Sequence, residues 1–306
     1  MQSQNQQVLR NAYIGSLMVL VAAVTVSSKA IFVKLAYAYS VDAATLIALR
    51  MTFSAPFFIG LALWARASAT AAKISRRDGW MIIVAGMLGG YGPMWLDFAG
   101  LAYVSAGLER IVLFLYPTMV VMLTAILFKQ RITKRELFAL VLTYAGVGLV
   151  VSHDLGMTSL QGSQTMQGIA LVFASAITYA AYLVFSGRLI PRVGSSLFTA
   201  YTMLAATAAS AGHFAATPHQ TALLHLPIQV YFLSIAMALV ATVLPAVLLN
   251  AGIQRIGSNK ASLVASVGPV STIFLAYMFL GEDITWLQLC GTGLVMTGVW
   301  VIARHK

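Results

Sequence analysis

The sequence predicts an all-α, polytopic membrane protein of ten transmembrane helices arranged as two inverted five-helix repeats. Three observations predict it: the composition, the confinement of charge to the gaps between apolar runs, and prolines that recur at a fixed interval. Of 306 residues, 60% are hydrophobic and 9% charged, with a mean hydropathy of +0.87. A soluble protein carries charge on about a quarter of its residues, so an ordinary soluble fold is excluded. The apolar runs are about 20 residues long, the length a helix needs to cross a bilayer.

In chain order the runs of the first half lie near 14–36, 43–64, 80–102, 106–128 and 135–152. The first follows a polar stretch ending in Arg10, as a signal peptide would, but its length and the internal Lys29 and Lys34 fit a retained helix. The third is interrupted by Gly86, Gly89, Gly90, Gly92 and Pro93, followed by Trp95 and Asp97, and the fourth contains Pro117. The second half comprises runs near 167–187, 196–216, 229–252, 259–280 and 286–303. Of these, 196–216 is the least apolar, rich in Ala, Thr and Ser, while the eighth and ninth contain Pro245 and Pro269.

Orientation follows from Lys and Arg in short loops, which stay cytoplasmic. The N-terminus and the even-numbered loops hold Arg10; Arg66, Lys73, Arg76 and Arg77; Lys129, Arg131, Lys134 and Arg135; Arg188 and Arg192; Arg255 and Lys260; the C-terminus adds Arg304 and Lys306. The opposite loops hold only Asp42, Asp154, Glu282, Asp283 and the histidines 153, 219 and 225. Both termini are therefore expected in the cytoplasm. The same distribution turns the net charge of +11 into a topology signal rather than a nucleic-acid footprint, since no basic face or tail forms. Cys290 lies alone within an apolar run, which excludes an intrachain disulfide.

Pro93 and Pro245 stand 152 residues apart, as do Pro117 and Pro269, Ile132-Thr133 and Ile284-Thr285, and Gly146 and Gly298. With five helices per half, an odd number, the second copy enters the membrane in the opposite sense. The expected units are 14–152 and 167–304. Inverted repeats with matched broken helices are a feature of secondary transporters, whose cargo site lies near the midplane beside the breaks. Pro93, Pro117, Pro245 and Pro269 are accordingly read as hinges, with helices 3, 4, 8 and 9 lining the pathway.

These residues resemble the EamA family of the drug/metabolite transporter superfamily over nearly the whole chain. The resemblance rests on Pro117, Lys129-Gln130-Arg131-Ile132-Thr133 and Gly146, repeated as Pro269, Gly281-Glu282-Asp283-Ile284-Thr285 and Gly298, together with Thr178-Tyr179-Ala180-Ala181-Tyr182 and Arg50. Gln130 departs from the usual Glu, and Thr25-Val26-Ser27 from the common Trp-Gly. The resemblance implies a ten-helix bacterial inner-membrane exporter of small organic metabolites, often amino acids, with no cofactor and no metal.

Six ionisable residues lie within the runs, all in the first half: Lys29, Lys34, Arg50, Asp97, Glu109 and Arg110. Such groups are costly in lipid and are functional candidates. At 1.5 Å per residue, Lys29, Arg50 and Asp97 sit about 8–10 Å below the outer boundary and Glu109 about 5 Å. A paired network at the outer mouth of a cavity is therefore expected. Lys34 reads as interfacial, and Lys29 either joins the belt or snorkels outward. Glu109 and Arg110 point about 100° apart, so one is expected to face headgroups or helix 3, Arg110 being read as structural. Arg50 and Asp97 either pair with each other or meet the cargo. Four positive against two negative charges favour a cargo bearing a carboxylate, an amino acid or organic acid, met by Arg50 or Lys29 with Asp97 nearby. Tyr91, Trp95, Tyr116 and Asn250 are candidates for the rest of the lining. Asp97 and Glu109 are the candidates for proton coupling, with uncoupled facilitation equally open. The cargo is a small molecule in a lipid bilayer setting, with no nucleic acid, and a monomer is slightly favoured. The rival readings are an exporter of cationic drugs, a membrane-embedded enzyme and a non-transporting receptor. No histidine has metal-ligand spacing and no nucleophile-base constellation stands within the runs, which disfavours the enzyme.

Overall fold

A computed structural model of the chain describes residues 2–67, 74–129, 131–157, 162–217, 226–256, 264–265 and 267–303. Among them the regular structure is all helix, without strands. The first half comprises α1 (Gln2–Tyr37), α2 (Ala43–Ala67), α3 (Arg76–Ala85, Gly86–Tyr91 and Gly92–Leu101), α4 (Ala106–Leu113 and Tyr116–Phe128) and α5 (Lys134–Met157). The second half comprises α6 (Gly162–Val193), α7 (Ser195–Ala216), α8 (Ile228–Ala238, Leu239–Val243 and Leu244–Ile256), α9 (Gly268–Leu280) and α10 (Trp286–Ala303).

Seven of these are long and apolar enough to cross a membrane, namely α1 to α6 and α8. The described parts of α9 and α10 are apolar but shorter, and α7 is the Ala/Thr/Ser-rich helix anticipated as least apolar. The expected start of the ninth run, 259–263, lies outside the described residues. Helices α1, α5 and α6 run past their apolar cores into polar sequence, because backbone hydrogen bonding continues where hydropathy ends.

The breaks have local causes. Proline donates no backbone hydrogen bond and crowds the preceding turn. In α3 and α8 the turn before the proline widens to a π-helix, Gly86–Tyr91 ahead of Pro93 and Leu239–Val243 ahead of Pro245. Side chains also bond carbonyls beside the breaks: Thr242 Oγ1 donates to Met237 O at 3.0 Å, and Ser175 Oγ to Pro93 O at 2.8 Å. Pro117 and Pro269 are accommodated differently. Each sits in the first turn of a helical segment, after Leu115 and Val267, where a missing donor costs nothing.

The recurring Ile-Thr pair also has a physical basis. Thr133 Oγ1 accepts from Glu136 N at 3.2 Å to start α5, and Thr285 Oγ1 accepts from Gln288 N at 3.2 Å to start α10. Four residues earlier, Lys129 and Gly281 end α4 and α9 in the left-handed region, at φ 52° and 67°. Glycine adopts that conformation freely, whereas a side chain costs about 1–2 kcal/mol. Lys129→Gly is therefore expected to stabilise the protein by about 1 kcal/mol, seen as a higher melting temperature in detergent.

Close packing occurs where small residues let backbones approach, the usual membrane solution. Helix α5 lies on α10, where a Cβ on Gly146 would fall 2.7 Å from Gly291 O and one on Gly298 2.8 Å from Ala139 O. Helix α1 lies on α8, where a Cβ on Gly252 would fall 3.0 Å from Gly15 O and against Val19. Helix α3 lies on α6, where a Cβ on Gly100 would fall 3.0 Å from Gly168 O and against Val172. The pair α2 and α7, and the contacts of α1 with α9 and of α6 with α4, complete the bundle. Apolar cores built on Leu46, Phe98 and Met237, and on Leu108, Ile111 and Val172, hold the broken helices together.

Candidate functional site

A cavity of about 650 Å³ lies among α1, α2, α3, α4, α6, α7, α8 and α10, within the range of pockets that enclose a small organic molecule. The broken helices supply its walls: Gly89, Gly90 and Pro93 of α3, Pro117 of α4, and Ala241, Thr242 and Pro245 of α8. Pro269 is buried and does not line it. Glycines and π-turns remove side-chain bulk and backbone pairing at these points, which is why the space exists.

Lys29, Arg50, Asp97 and Arg110 all reach the cavity. Lys29 bridges two acids, with Nζ 2.5 Å from Asp97 Oδ2 and 3.1 Å from Glu109 Oε1. It therefore joins the network rather than snorkelling outward. Glu109 is fully buried behind Asp97. Among the described residues Arg50 takes part in no ion pair, so the Arg50–Asp97 pair entertained from the sequence does not form. Instead Arg50 Nε donates to Thr242 Oγ1 at 2.9 Å, and its guanidinium lies 5.5 Å from the centre of the Phe98 ring. This ties α2 to the π-turn of α8 and leaves Nη1 buried without a partner.

Arg110 corrects the sequence reading. The sequence has one of the Glu109–Arg110 neighbours facing headgroups or helix 3. Instead Glu109 faces Lys29 and Arg110 faces the cavity, against α9, where a Cβ on Gly268 would fall 2.6 Å from Nη2. Its Nε is also buried and unpartnered. Lys34 lies partly buried on α1 and outside the cavity wall.

The cavity thus presents three cations and one carboxylate, with Glu109 behind. Attraction for an anion in such low-dielectric surroundings is strong, and the unpartnered guanidinium atoms are donors without acceptors, a state buried polar groups avoid.

The aromatic candidates separate. Tyr116 lines the cavity, meeting Tyr179 edge-on at 5.1 Å between ring centres. Tyr91 and Trp95 do not; they line a groove between α3 and α7 with His213, whose Nδ1 hydrogen-bonds the Tyr91 hydroxyl. The 3.6-residue turn, widened by the π segment, rotates them away from the wall that Gly89, Gly90 and Pro93 occupy. The Asn250 side chain lies outside the described residues. Sequence reasoning missed Ser175, Met203 and Thr242. Their only signal is position: Thr242 stands three residues before Pro245, inside the break.

The model of the EamA-like transporter family matches residues 13–152 and again 166–304. The chain is 32% identical over 305 residues to the uncharacterized transporter YcbK of Bacillus subtilis, covering 98% of this chain and 96% of that protein. It is 27% identical to the uncharacterized transporter YyaM of the same organism, over 73% of each chain. A stretch of 57 residues, 19% of each chain, is 42% identical to a probable terminal-alkyne amino-acid exporter of Streptantibioticus cattleyicolor. One solved crystal structure superposes with a TM-score of 0.64 over 94% of each chain at 18% identity, a likeness of fold.

Proposed function

The chain belongs to the EamA-like transporter family, and from that premise we propose that it exports small carboxylate-bearing metabolites, amino acids foremost, from the bacterial cytoplasm by alternating access. The observation that carries the cargo class is the cavity wall: Lys29, Arg50 and Arg110 against Asp97, with guanidinium atoms of both arginines unpartnered. A carboxylate supplies the acceptors that these donors lack, and an arginine fork suits it geometrically. The relative named as an amino-acid exporter points the same way over its short match. A cationic drug would meet three like charges, which disfavours the rival cargo class.

The alternating-access part rests on the proposed inverted repeat, units 14–152 and 167–304. Shifting by 152 residues turns the Gly146–Gly291 contact into Gly298–Ala139, and shifts of 152 and 153 turn Gly100 on Gly168 and Val172 into Gly252 on Gly15 and Val19. An interface network that maps onto itself supports two related units about an axis through α5–α10 and α2–α7. In the orientation that the loop charges favour, with both termini cytoplasmic in the inner membrane, the belt stands towards the outer face and Leu249 and Trp300 towards the inner. Asp97, Glu109 and Tyr116 complete the working site, with Pro93 and Pro245 as its hinges.

Cells that hydrolyse an imported dipeptide and express this protein are expected to release the resulting amino acids faster than cells without it. Release at the same rate with and without the protein, for every amino-acid class, would overturn the proposal.

A further inference from the structure

The two acids beside Lys29 are not both satisfied by it. Asp97 Oδ1 and Glu109 Oε2 are buried with no hydrogen-bond partner, while the other oxygen of each carboxylate meets the same Lys29 ammonium, at 2.5 and 3.1 Å. One ammonium against two carboxylates leaves an uncompensated negative charge where Glu109 is wholly buried and Asp97 is 4% exposed at its side chain. Such an arrangement is costly unless a further positive charge joins it. The surrounding groups are Lys34 and Tyr37 on α1, Arg50 on α2, Arg110 on α4, Tyr179 of α6 beside Arg110, and Glu282 of the α9–α10 connection near Lys34. Arg50 is engaged by Thr242, and Arg110 leans on Gly268. A single proton shared by Asp97 and Glu109 makes the triad neutral and removes the uncompensated charge.

We propose that Lys29, Asp97 and Glu109 form a one-proton site, and that an ammonium-bearing cargo arriving at Asp97 expels this proton into the cavity, so that transport is an exchange of cargo for a proton. This rests on the function proposed above, since the cargo's carboxylate must be held by the arginines for its amine to reach Asp97. The nearer charge dominates the interaction with Asp97, so the amine opposes the proton and linkage makes the opposition mutual. No bond forms or breaks apart from the proton's transfer to cavity water. A cargo with a carboxylate alone would instead draw the proton in with it.

Two measurements separate this site from the cargo class. In purified wild-type protein, infrared spectroscopy is expected to show a buried protonated-carboxyl band that is lost in both Asp97→Asn and Glu109→Gln and kept in Glu136→Gln. A band unchanged in both variants overturns the site, and this reading needs no cargo. In proteoliposomes loaded with single zwitterionic L-amino acids, an imposed pH gradient is expected to drive at least several-fold accumulation in wild type, whereas Glu109→Gln exchanges the amino acid but loses the gradient response. Exchange with the response intact in Glu109→Gln defeats the proton site and spares the cargo reading. A band that behaves as expected without exchange of any amino acid defeats the cargo reading and, with it, the coupling.

Discussion

Replacing Lys29 by methionine is expected to destabilise the protein by about 3–5 kcal/mol, measured as unfolding in mixed detergent. Methionine fills similar volume, so the loss is electrostatic: Asp97 and Glu109, both buried, lose the Lys29 ammonium that contacts them at 2.5 and 3.1 Å. An unpaired buried carboxylate carries the full penalty of desolvation, whereas removing all members of a buried network is far milder. The triple change Lys29→Met, Asp97→Asn, Glu109→Gln is therefore expected to recover most of the stability. A purely additive loss would show that the three residues do not act as a network.

That network illustrates what the sequence conveys and what it withholds. The common depth of Lys29, Asp97 and Glu109 is legible from helix rise alone. Their pairing is not, because the choice between Lys29 and Arg50 as the partner of Asp97 depends on how α1 and α2 rotate about their axes. Arg50 is taken by Thr242 of α8, a residue 192 positions away. Similarly, the breaks at Pro93 and Pro245 are legible, but the π-turns that widen before them are not, and those turns send Tyr91 and Trp95 to the groove beside His213 rather than to the cavity. That Arg110 faces the cavity is likewise not legible, because it depends on how the first segment of α4, Ala106–Leu113, is rotated about its axis. The Ile-Thr pairs, by contrast, read directly as helix starts once the cap is considered.

The second large effect is expected at Arg50. Arg50→Met should weaken carboxylate-bearing cargo by about 2–5 kcal/mol, roughly thirtyfold or more in apparent affinity, while leaving the ion pairs of Lys29 in place. Arg50→Lys should rescue poorly, since a lysine ammonium offers no planar fork that holds Thr242 with one nitrogen and a carboxylate with another.

Counterflow in proteoliposomes tests the central claim most directly, that three cations in one cavity select a carboxylate. The expected result is exchange of labelled zwitterionic amino acids, abolished or greatly weakened in Arg50→Met, with no exchange of quaternary ammonium compounds. Transport of quaternary cations without any amino acid, insensitive to Arg50→Met, would contradict it.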